Sequence, residues 1–303
     1  MRRRCIPLFA FFFFALSVNV VHADVSPDWI APFPAFRIAG NLYYVGNADL
    51  ASYLIDTPQG EILINSNLSS SPALIRKSVE SLGLKFSNIK ILLISHGHYD
   101  HCAGSAEILR ETHAKYEVMA QDVSVVESGG RTDFHYANDK SMQFPSTHVD
   151  RILHDGEKVS LGGTTLTAHL TAGHTKGTTT WTLDEVENGR LLHVVIVGSP
   201  NVNPGYKLVG NTRYPQIAAD YKHEFRVLKN LPCDIFLGAH GLYFDLKDKY
   251  ARFKAGDRTA FVDPGGYKTY IADREGAFQA ELTKQLRAVP KRPHPPSSAR
   301  PSL

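Results

Sequence analysis

The segment from Ile89 to His101 reads IKILLISHGHYDH, and it determines both the fold class and the chemistry that the sequence predicts. Its first six residues are almost continuously apolar, which is typical of a strand that is buried on both faces. Three imidazoles and one carboxylate follow between His96 and His101. This mixture of nitrogen and oxygen ligands suits borderline metals such as zinc. The segment therefore predicts a metal site directly after a buried strand.

The spacing within this cluster predicts two groups of ligands. In extended backbone, His96 and His98 project to the same side because side chains alternate with a period of two. Asp100 and His101 are neighbours and point apart unless a turn intervenes, so we expect two ligands for one metal and two for another. The glycine at position 97 would keep the approach to the metal uncrowded.

Two further histidines lie beside glycines at the ends of predicted strands. His174 occurs in the segment GHTKG, residues 173–177, and His240 occurs in the segment GAHG, residues 238–241. Because a catalytic zinc takes about three protein ligands plus water, each of these histidines would complete one group. The two predicted trios are His96, His98 and His174, and Asp100, His101 and His240.

The remaining histidines that follow residue 23 lack such settings, and we expect them to be ordinary surface or core residues. His135 and His148 are exceptions, because the long stretch 129–149 that contains them could overhang the metal site.

The rest of the chain alternates predicted strands and helices, which favours a layered α/β fold. Short strands dominate from Arg151 to Val197, and we find no linker within residues 30–286, so a single domain is expected. The other predicted strands cover residues 42–45, 52–55, 61–64, 89–94, 116–119 and 234–237. The predicted helices cover residues 72–82, with Ser71 as N-cap, then 104–113, about 215–230 and about 272–287.

Composition and charge exclude several classes of protein. The 303 residues are 43% hydrophobic and 21% charged, so they can form an ordinary core. The net charge is +3, but the excess lies in the terminal segments, at residues 2–4 and 291–300, and the intervening chain is slightly acidic. The charge balance therefore gives no indication of a basic surface that would bind nucleic acid.

Both ends of the chain are predicted to lie outside the folded domain. Residues 1–23 have the order of a secretory signal peptide, namely three arginines, an apolar stretch and Val21-His22-Ala23. A membrane anchor is the alternative, but Pro7 and polar residues leave too short an apolar run to span a bilayer. We therefore expect cleavage, export to the periplasm, no membrane attachment afterwards, a domain over residues 24–289 and a proline-rich disordered tail over 290–303.

Removal of the signal would leave two cysteines, Cys102 and Cys233. Two cysteines cannot form the disulfide framework of a small secreted protein, so the core must come from packing. Although Cys102 follows the histidine cluster directly, we expect it to be a small buried residue rather than a ligand.

The five histidines and one aspartate in this order resemble the metallo-β-lactamase superfamily, and within it the subclass B3 enzymes. Dinuclear hydrolases such as glyoxalase II end a later strand with a Gly-Asp whose aspartate bridges both metals, whereas here that strand ends Val197-Gly198-Ser199. The segments NPGYKL at 203–208 and CDIFLGAH at 233–240 are also similar to the subclass. The resemblance implies a four-layer αβ/βα sandwich over roughly residues 30–286.

The resemblance also implies a function. It implies a zinc-dependent hydrolase with two Zn²⁺ per chain, in which a hydroxide generated on zinc attacks the ring of a β-lactam antibiotic and confers resistance. Asp100 would be both a ligand and a catalytic residue, and we expect a monomer. The substrate contacts carried over from the resemblance are Ser199, Asn201 and Asn203.

The sequence departs from the family pattern at two positions, and two alternative functions stay open. Tyr267 stands near where some members place a cysteine, so Cys233 is expected to be a free thiol. Asn65 stands where many members have an aspartate, and its amide can still orient a ligand by hydrogen bonding. The alternatives are a hydrolase of the same fold that acts on lactones or thiolesters, and a secreted zinc-binding protein without useful catalysis.

Overall fold

The strands of the computed structural model form two sheets that pack face to face, with helices covering both outer faces. The structure describes residues 26–288, so the predicted signal peptide and proline-rich tail lie outside the described residues. None of the helices among residues 26–288 is long and apolar enough to cross a membrane. The layer order is the predicted αβ/βα sandwich in a single domain.

The twelve strands of the described chain divide between the sheets. The first sheet holds β1 to β7 in chain order, with antiparallel pairs up to β4 and parallel pairs from β4 to β7. Its strands are β1 (Phe36–Ala39), β2 (Leu42–Tyr44), β3 (Tyr53–Thr57), β4 (Gly60–Ile64), β5 (Ile89–Leu93), β6 (Lys115–Met119) and β7 (Arg151–Leu153).

The second sheet has the order β12-β11-β10-β9-β8, and only its β11–β12 pair is parallel. Its strands are β8 (Lys158–Leu161), β9 (Thr164–Leu170), β10 (Thr179–Glu187), β11 (Arg190–Val197) and β12 (Ile235–Gly238). The eight α-helices among residues 26–288 are α1 (Pro27–Ile30), α2 (Pro72–Ser81), α3 (Tyr99–Cys102), α4 (Ser105–Thr112), α5 (Val123–Glu127), α6 (Ile217–Asn230), α7 (Leu246–Lys254) and α8 (Pro264–Ala288).

Strand β5 lies in the middle of the first sheet and is buried on both faces, as its apolar run predicts. Ile89 and Leu92 pack in the cluster that contains α2 and α4, whereas Ile91 and Leu93 pack in the cluster between the two sheets. Ile91, Leu92 and Leu93 alternate between the two clusters because a strand has a period of two, and Ile89 departs from this alternation next to a register shift in the β4–β5 pairing. The residues that follow Leu93 therefore leave a strand whose last three residues are buried.

Two differences from the predicted helices have physical reasons. The last helix begins at Pro264 rather than near residue 272, because its first turns are anchored by the buried side chains of Tyr267 and Ile271. Ser71 occupies the N-cap position of α2 and Pro72 opens the helix as predicted, but the Ser71 hydroxyl makes no capping hydrogen bond because it accepts one from Nδ2 of Asn47 at 3.4 Å instead.

Candidate metal centre

The His96–His101 segment converges on one space because a helical turn begins in its middle. His98 is extended (φ −95°, ψ 153°), and α3 begins at Tyr99. This turn brings Asp100 and His101 back toward His96, so that one ligand atom of each of the three lies within 4.8 Å of the others. Asp100 and His101 therefore do not point apart, because the intervening turn that the sequence left open is present.

The first predicted trio is assembled in the structure. One ligand atom each from His96, His98 and His174 lies within 4.8 Å of the others, and all three residues are buried. Nδ1 of His98 lies 3.1 Å from Nε2 of His174. His96 and His98 come from the loop after β5, whereas His174 comes from the connection between β9 and β10 in the other sheet.

The second predicted trio is also assembled. Nε2 of His101 lies 3.2 Å from Nε2 of His240 and 3.3 Å from Oδ2 of Asp100. The same carboxylate oxygen lies 3.5 Å from Nε2 of His240. His240 follows β12 of the second sheet, so each trio takes two ligands from the first sheet and one from the second.

These distances fit a metal-binding site. Tetrahedral coordination with metal–nitrogen bonds of 2.0–2.1 Å places ligand atoms about 3.3 Å apart, close to the spacings in both trios. Both ring nitrogens of His96 and Nδ1 of His101 are buried and have no hydrogen-bond partner among residues 26–288. Buried polar atoms in native proteins nearly always have a partner, so these nitrogens indicate that a bound metal completes the site.

Two histidines of the first trio, His174 and His96, have lowered pKa values, whereas for His98 burial would lower the pKa but the Asp133 carboxylate raises it above its ordinary value. Burial and the neighbouring His98 lower the pKa of His174 to about 3, and burial lowers the pKa of His96 well below its ordinary value. Nδ1 of His174 lies 2.8 Å from the carbonyl oxygen of Asn201. Because a carbonyl only accepts, Nδ1 carries the proton and Nε2 is left to bind a metal.

The second trio has a different electrostatic balance. Burial alone would lower the pKa of His240, but Tyr243 and the carboxylates of Asp100 and Asp49 raise it well above its ordinary value. Metal binding at this trio must therefore displace a proton. His240 donates through Nδ1 to Oδ2 of Asp49 at 3.0 Å, which directs Nε2 toward Asp100.

A buried aspartate connects the two loops that carry the first trio. Oδ2 of Asp122 accepts hydrogen bonds from the Gly97 amide at 2.8 Å and the Thr175 hydroxyl at 2.7 Å. Oδ1 accepts from the Gly177 amide at 2.8 Å. A Cβ at Gly177 would lie only 2.6 Å from Cγ of Asp122, so this close approach requires glycine. One carboxylate thus fixes the backbone beside His98 and His174.

The trios open into a pocket of about 490 Å³, a size typical of small-molecule sites. Trp29, Met142, Phe144 and Leu242 form an apolar part of its wall. Within the described part of the chain, no lysine or arginine lines this pocket. The stretch 129–149 contributes to the wall, so it does overhang the site.

The three predicted substrate contacts lie in different environments. Asn201 and Asn203 line the pocket, and the amide of Asn203 donates to the Tyr136 hydroxyl at 3.0 Å. Ser199 is fully buried and is not part of the pocket wall. Its hydroxyl lies 3.1 Å from that of Tyr243, which does line the pocket.

The other residues that the sequence singled out lie away from the ligand positions. His135 packs against Tyr136, and His148 is an exposed residue beside Glu127. Cys102 and Cys233 are free thiols, and Cys102 is buried as predicted. Asn65 orients no ligand directly.

The side chain of Asn65 hydrogen-bonds instead to Ser95 and to the carbonyl oxygen of Ala51. The Ser95 amide donates to Oδ1 of Asn65 at 2.7 Å, and Nδ2 of Asn65 lies 3.0 Å from the Ser95 hydroxyl. This pair fixes the backbone one residue before His96.

Sequence reasoning missed the carboxylates that support the ligands and the N-terminal helix that closes the pocket. Asp49, Asp122 and Asp133 stand alone in the sequence, and only the fold brings them to the site. Oδ2 of Asp133 lies 3.6 Å from Nε2 of His98. Trp29 on α1 donates to Asp49 at 2.9 Å, and no periodic pattern marks this four-residue helix.

Comparison with known families and structures agrees with this geometry. The sequence model of the family described as the metallo-beta-lactamase superfamily matches residues 50–240. This range contains all six predicted ligands.

Solved structures with a similar fold include three metallo-β-lactamases. Native FEZ-1 from Legionella gormanii is 58% identical, with a TM-score of 0.84, and the match covers 84% of this chain and 98% of that one. BJP-1 of Bradyrhizobium japonicum, a subclass B3 enzyme, is 35% identical, with a TM-score of 0.81 and coverage of 86% and 98%. The class B3 di-zinc enzyme LRA-12 from an Alaskan soil metagenome is 36% identical, with a TM-score of 0.81 and coverage of 85% and 98%.

Proposed function

The chain belongs to the metallo-β-lactamase superfamily, and from this premise we propose that it is a subclass B3 enzyme that binds two zinc ions and hydrolyses β-lactam antibiotics. The observation that carries the proposal is the arrangement of five imidazoles and one carboxylate as two adjacent trios. The substrate class is supported by the solved structures above, which are named metallo-β-lactamases, and we propose that it includes penicillins, cephalosporins and carbapenems.

The chemistry of the site divides between the ions and the chain. Bound zinc supplies a Lewis acid that polarises a carbonyl and lowers the pKa of a water ligand to about 7. His96, His98 and His174 would hold one ion, and Asp100, His101 and His240 would hold the other. Neutral imidazoles provide the lone pairs, and the Asn201 carbonyl and the Asp49 carboxylate keep His174 and His240 in the required tautomers.

Asp100 has a second role in this proposal. Its side chain is almost entirely buried yet contributes to the pocket wall. Burial alone would raise its pKa, but His101 and His240 lower it well below its ordinary value. The carboxylate therefore stays ionised at neutral pH and can accept a hydrogen bond from the attacking water, which orients that water toward the substrate carbonyl.

The proposal extends to location and assembly. We propose export to the periplasm after cleavage near residue 23 and a monomeric mature protein. The order of charged, apolar and small residues at the N-terminus supports export. N-terminal sequencing of protein from a periplasmic fraction and light scattering of the purified chain test these two points.

The activity test uses purified mature protein. We expect about two zinc ions per chain by metal analysis, hydrolysis of a chromogenic cephalosporin, loss of that activity with a chelator and recovery with added zinc. We also expect His174→Ala and His240→Ala each to lose one ion and most activity while keeping the wild-type circular dichroism spectrum.

The alternatives give different results in the same assays. Turnover of lactones or thiolesters without turnover of any lactam would favour the other hydrolases of this fold. Full zinc loading without turnover of either class would favour a zinc-binding protein without catalysis. Normal zinc content and full lactamase rates in both histidine variants would refute the ligand assignment.

A further inference from the structure

Ser199 and Tyr243 differ in their access to the pocket. Ser199 is fully buried and does not reach the pocket wall, whereas Tyr243 is partly exposed and forms part of that wall. The Tyr243 hydroxyl lies 3.1 Å from the Ser199 hydroxyl. It is the only hydrogen-bond partner of the Ser199 side chain within residues 26–288.

The orientation of Asn201 fixes one hydrogen bond to Tyr243. Arg274 donates through Nη1 to Oδ1 of Asn201 at 3.3 Å. Because a guanidinium cannot accept a hydrogen bond, the oxygen of the Asn201 amide must face Arg274. Its nitrogen therefore faces Tyr243, and Nδ2 donates to the Tyr243 oxygen at 2.8 Å.

The burial of Ser199 fixes the second hydrogen bond. Buried hydroxyls nearly always place their proton on an acceptor, and among residues 26–288 the Tyr243 oxygen is the only acceptor within hydrogen-bond distance of the Ser199 hydroxyl. With Ser199 and Asn201 both donating to this oxygen, the proton of the Tyr243 hydroxyl has no protein acceptor among the described residues. It is available to a molecule in the pocket.

The position of Tyr243 indicates which chemical group of that molecule would accept the hydrogen bond. Its ring lies beside His240, with 5.0 Å between ring centroids, and His240 belongs to the second trio. A β-lactam antibiotic carries its carboxylate next to the ring nitrogen, and no lysine or arginine of residues 26–288 lines the pocket to receive it. A phenol that donates to a carboxylate forms a charge-assisted hydrogen bond.

We propose that the Tyr243 hydroxyl binds the substrate carboxylate and that Ser199, buried behind it, is a positioning residue. This inference rests on the proposed β-lactamase function and identifies the residue that recognises the acid group. The substrate contact that the family resemblance implies for Ser199 is then made by Tyr243.

The test compares a chromogenic cephalosporin with its methyl ester, which lacks the carboxylate charge. We expect Tyr243→Phe to lower kcat/KM for the free acid about tenfold, the effect of one hydrogen bond to a charged group. The loss should appear mainly in KM, and kcat/KM for the ester should change less than twofold. The preference for acid over ester would then fall about tenfold at unchanged zinc content.

Tyr136→Phe is the matched control. Tyr136 is a second phenol in the same pocket, but its ring lies beside His98 of the first trio, 5.4 Å between centroids. We expect this variant to keep the wild-type preference for acid over ester. Ser199→Ala is a second test, and it should lower the preference less than Tyr243→Phe does.

Each contrary result overturns the inference. An unchanged preference in Tyr243→Phe, an equal loss in Tyr136→Phe, or a larger loss in Ser199→Ala than in Tyr243→Phe would exclude Tyr243 as the carboxylate contact. These outcomes leave the lactamase proposal intact. Failure of zinc-loaded wild type to hydrolyse either substrate would overturn that proposal together with this inference.

Discussion

Replacement of Asp122 by asparagine is expected to weaken both the fold and the first metal trio. The carboxylate accepts three hydrogen bonds, from the amides of Gly97 and Gly177 and from the Thr175 hydroxyl. An asparagine has only one oxygen in place of two. In either orientation of its amide, an N–H of the side chain therefore faces a backbone N–H in a fully buried place.

The size of the effect follows from these contacts. At least one buried hydrogen bond is lost and a buried donor is left without an acceptor, each at about 1–3 kcal/mol. We expect the free energy of unfolding to fall by about 2–4 kcal/mol. Zinc affinity at the first trio should fall about 10- to 100-fold, the usual effect of removing a group that orients a metal ligand.

Urea unfolding of the zinc-loaded protein measures the first effect. Zinc titration in a His240→Ala background, where only the first trio should bind tightly, measures the second. Asp139→Asn is the control, because Asp139 is exposed and its carboxylate bonds only to Ser141 among the described residues, and we expect a change within about 0.5 kcal/mol. Wild-type stability and wild-type zinc affinity in Asp122→Asn would refute the reasoning.

Two other substitutions test buried carboxyl groups. Both oxygens of Glu224 are buried without a partner in the described chain, and burial raises its pKa well above the ordinary value. When the pKa of a carboxyl group is higher in the folded protein than in the unfolded chain, the free energy of unfolding falls as the pH rises above the unfolded pKa. Glu224→Gln should therefore increase the free energy of unfolding, and more at pH 8 than at pH 5, whereas the exposed Glu80→Gln should not; an equal gain at both pH values in urea titrations would contradict this. Asp49→Asn should weaken zinc binding at the trio that contains His240 about 10- to 100-fold, and unchanged affinity in competition with a chromogenic chelator would contradict this.

The sequence predicts the ligands better than it predicts their support. His96, His98, His174 and His240 follow strands, and strand ends can be read from hydrophobic runs and glycines. Asp122 follows a strand too, but its partners lie 25 and 55 residues away. Nothing local distinguishes such a carboxylate from a solvated one.

The direction of side chains near the site also could not be predicted from the sequence. The order of residues indicates that Ser199 lies near the site, but only the packed structure reveals that Tyr243 stands between it and the pocket. Helix propensity was a further limit. Gly265 and Gly266 are poor helix formers, so the sequence did not predict that α8 begins at Pro264, and the burial of Tyr267 offsets their low helix propensity.

Because each trio takes ligands from both sheets, each ion would join the two halves of the sandwich, and metal supply would control how long the protein survives. Binding to the folded form alone adds about 2.7 kcal/mol at a free zinc concentration one hundred times the dissociation constant. Under zinc starvation that contribution would disappear, the two sheets would separate more often, and proteases would gain access to the core. A cell that limits zinc would thus reduce the amount of this protein as well as its catalytic competence.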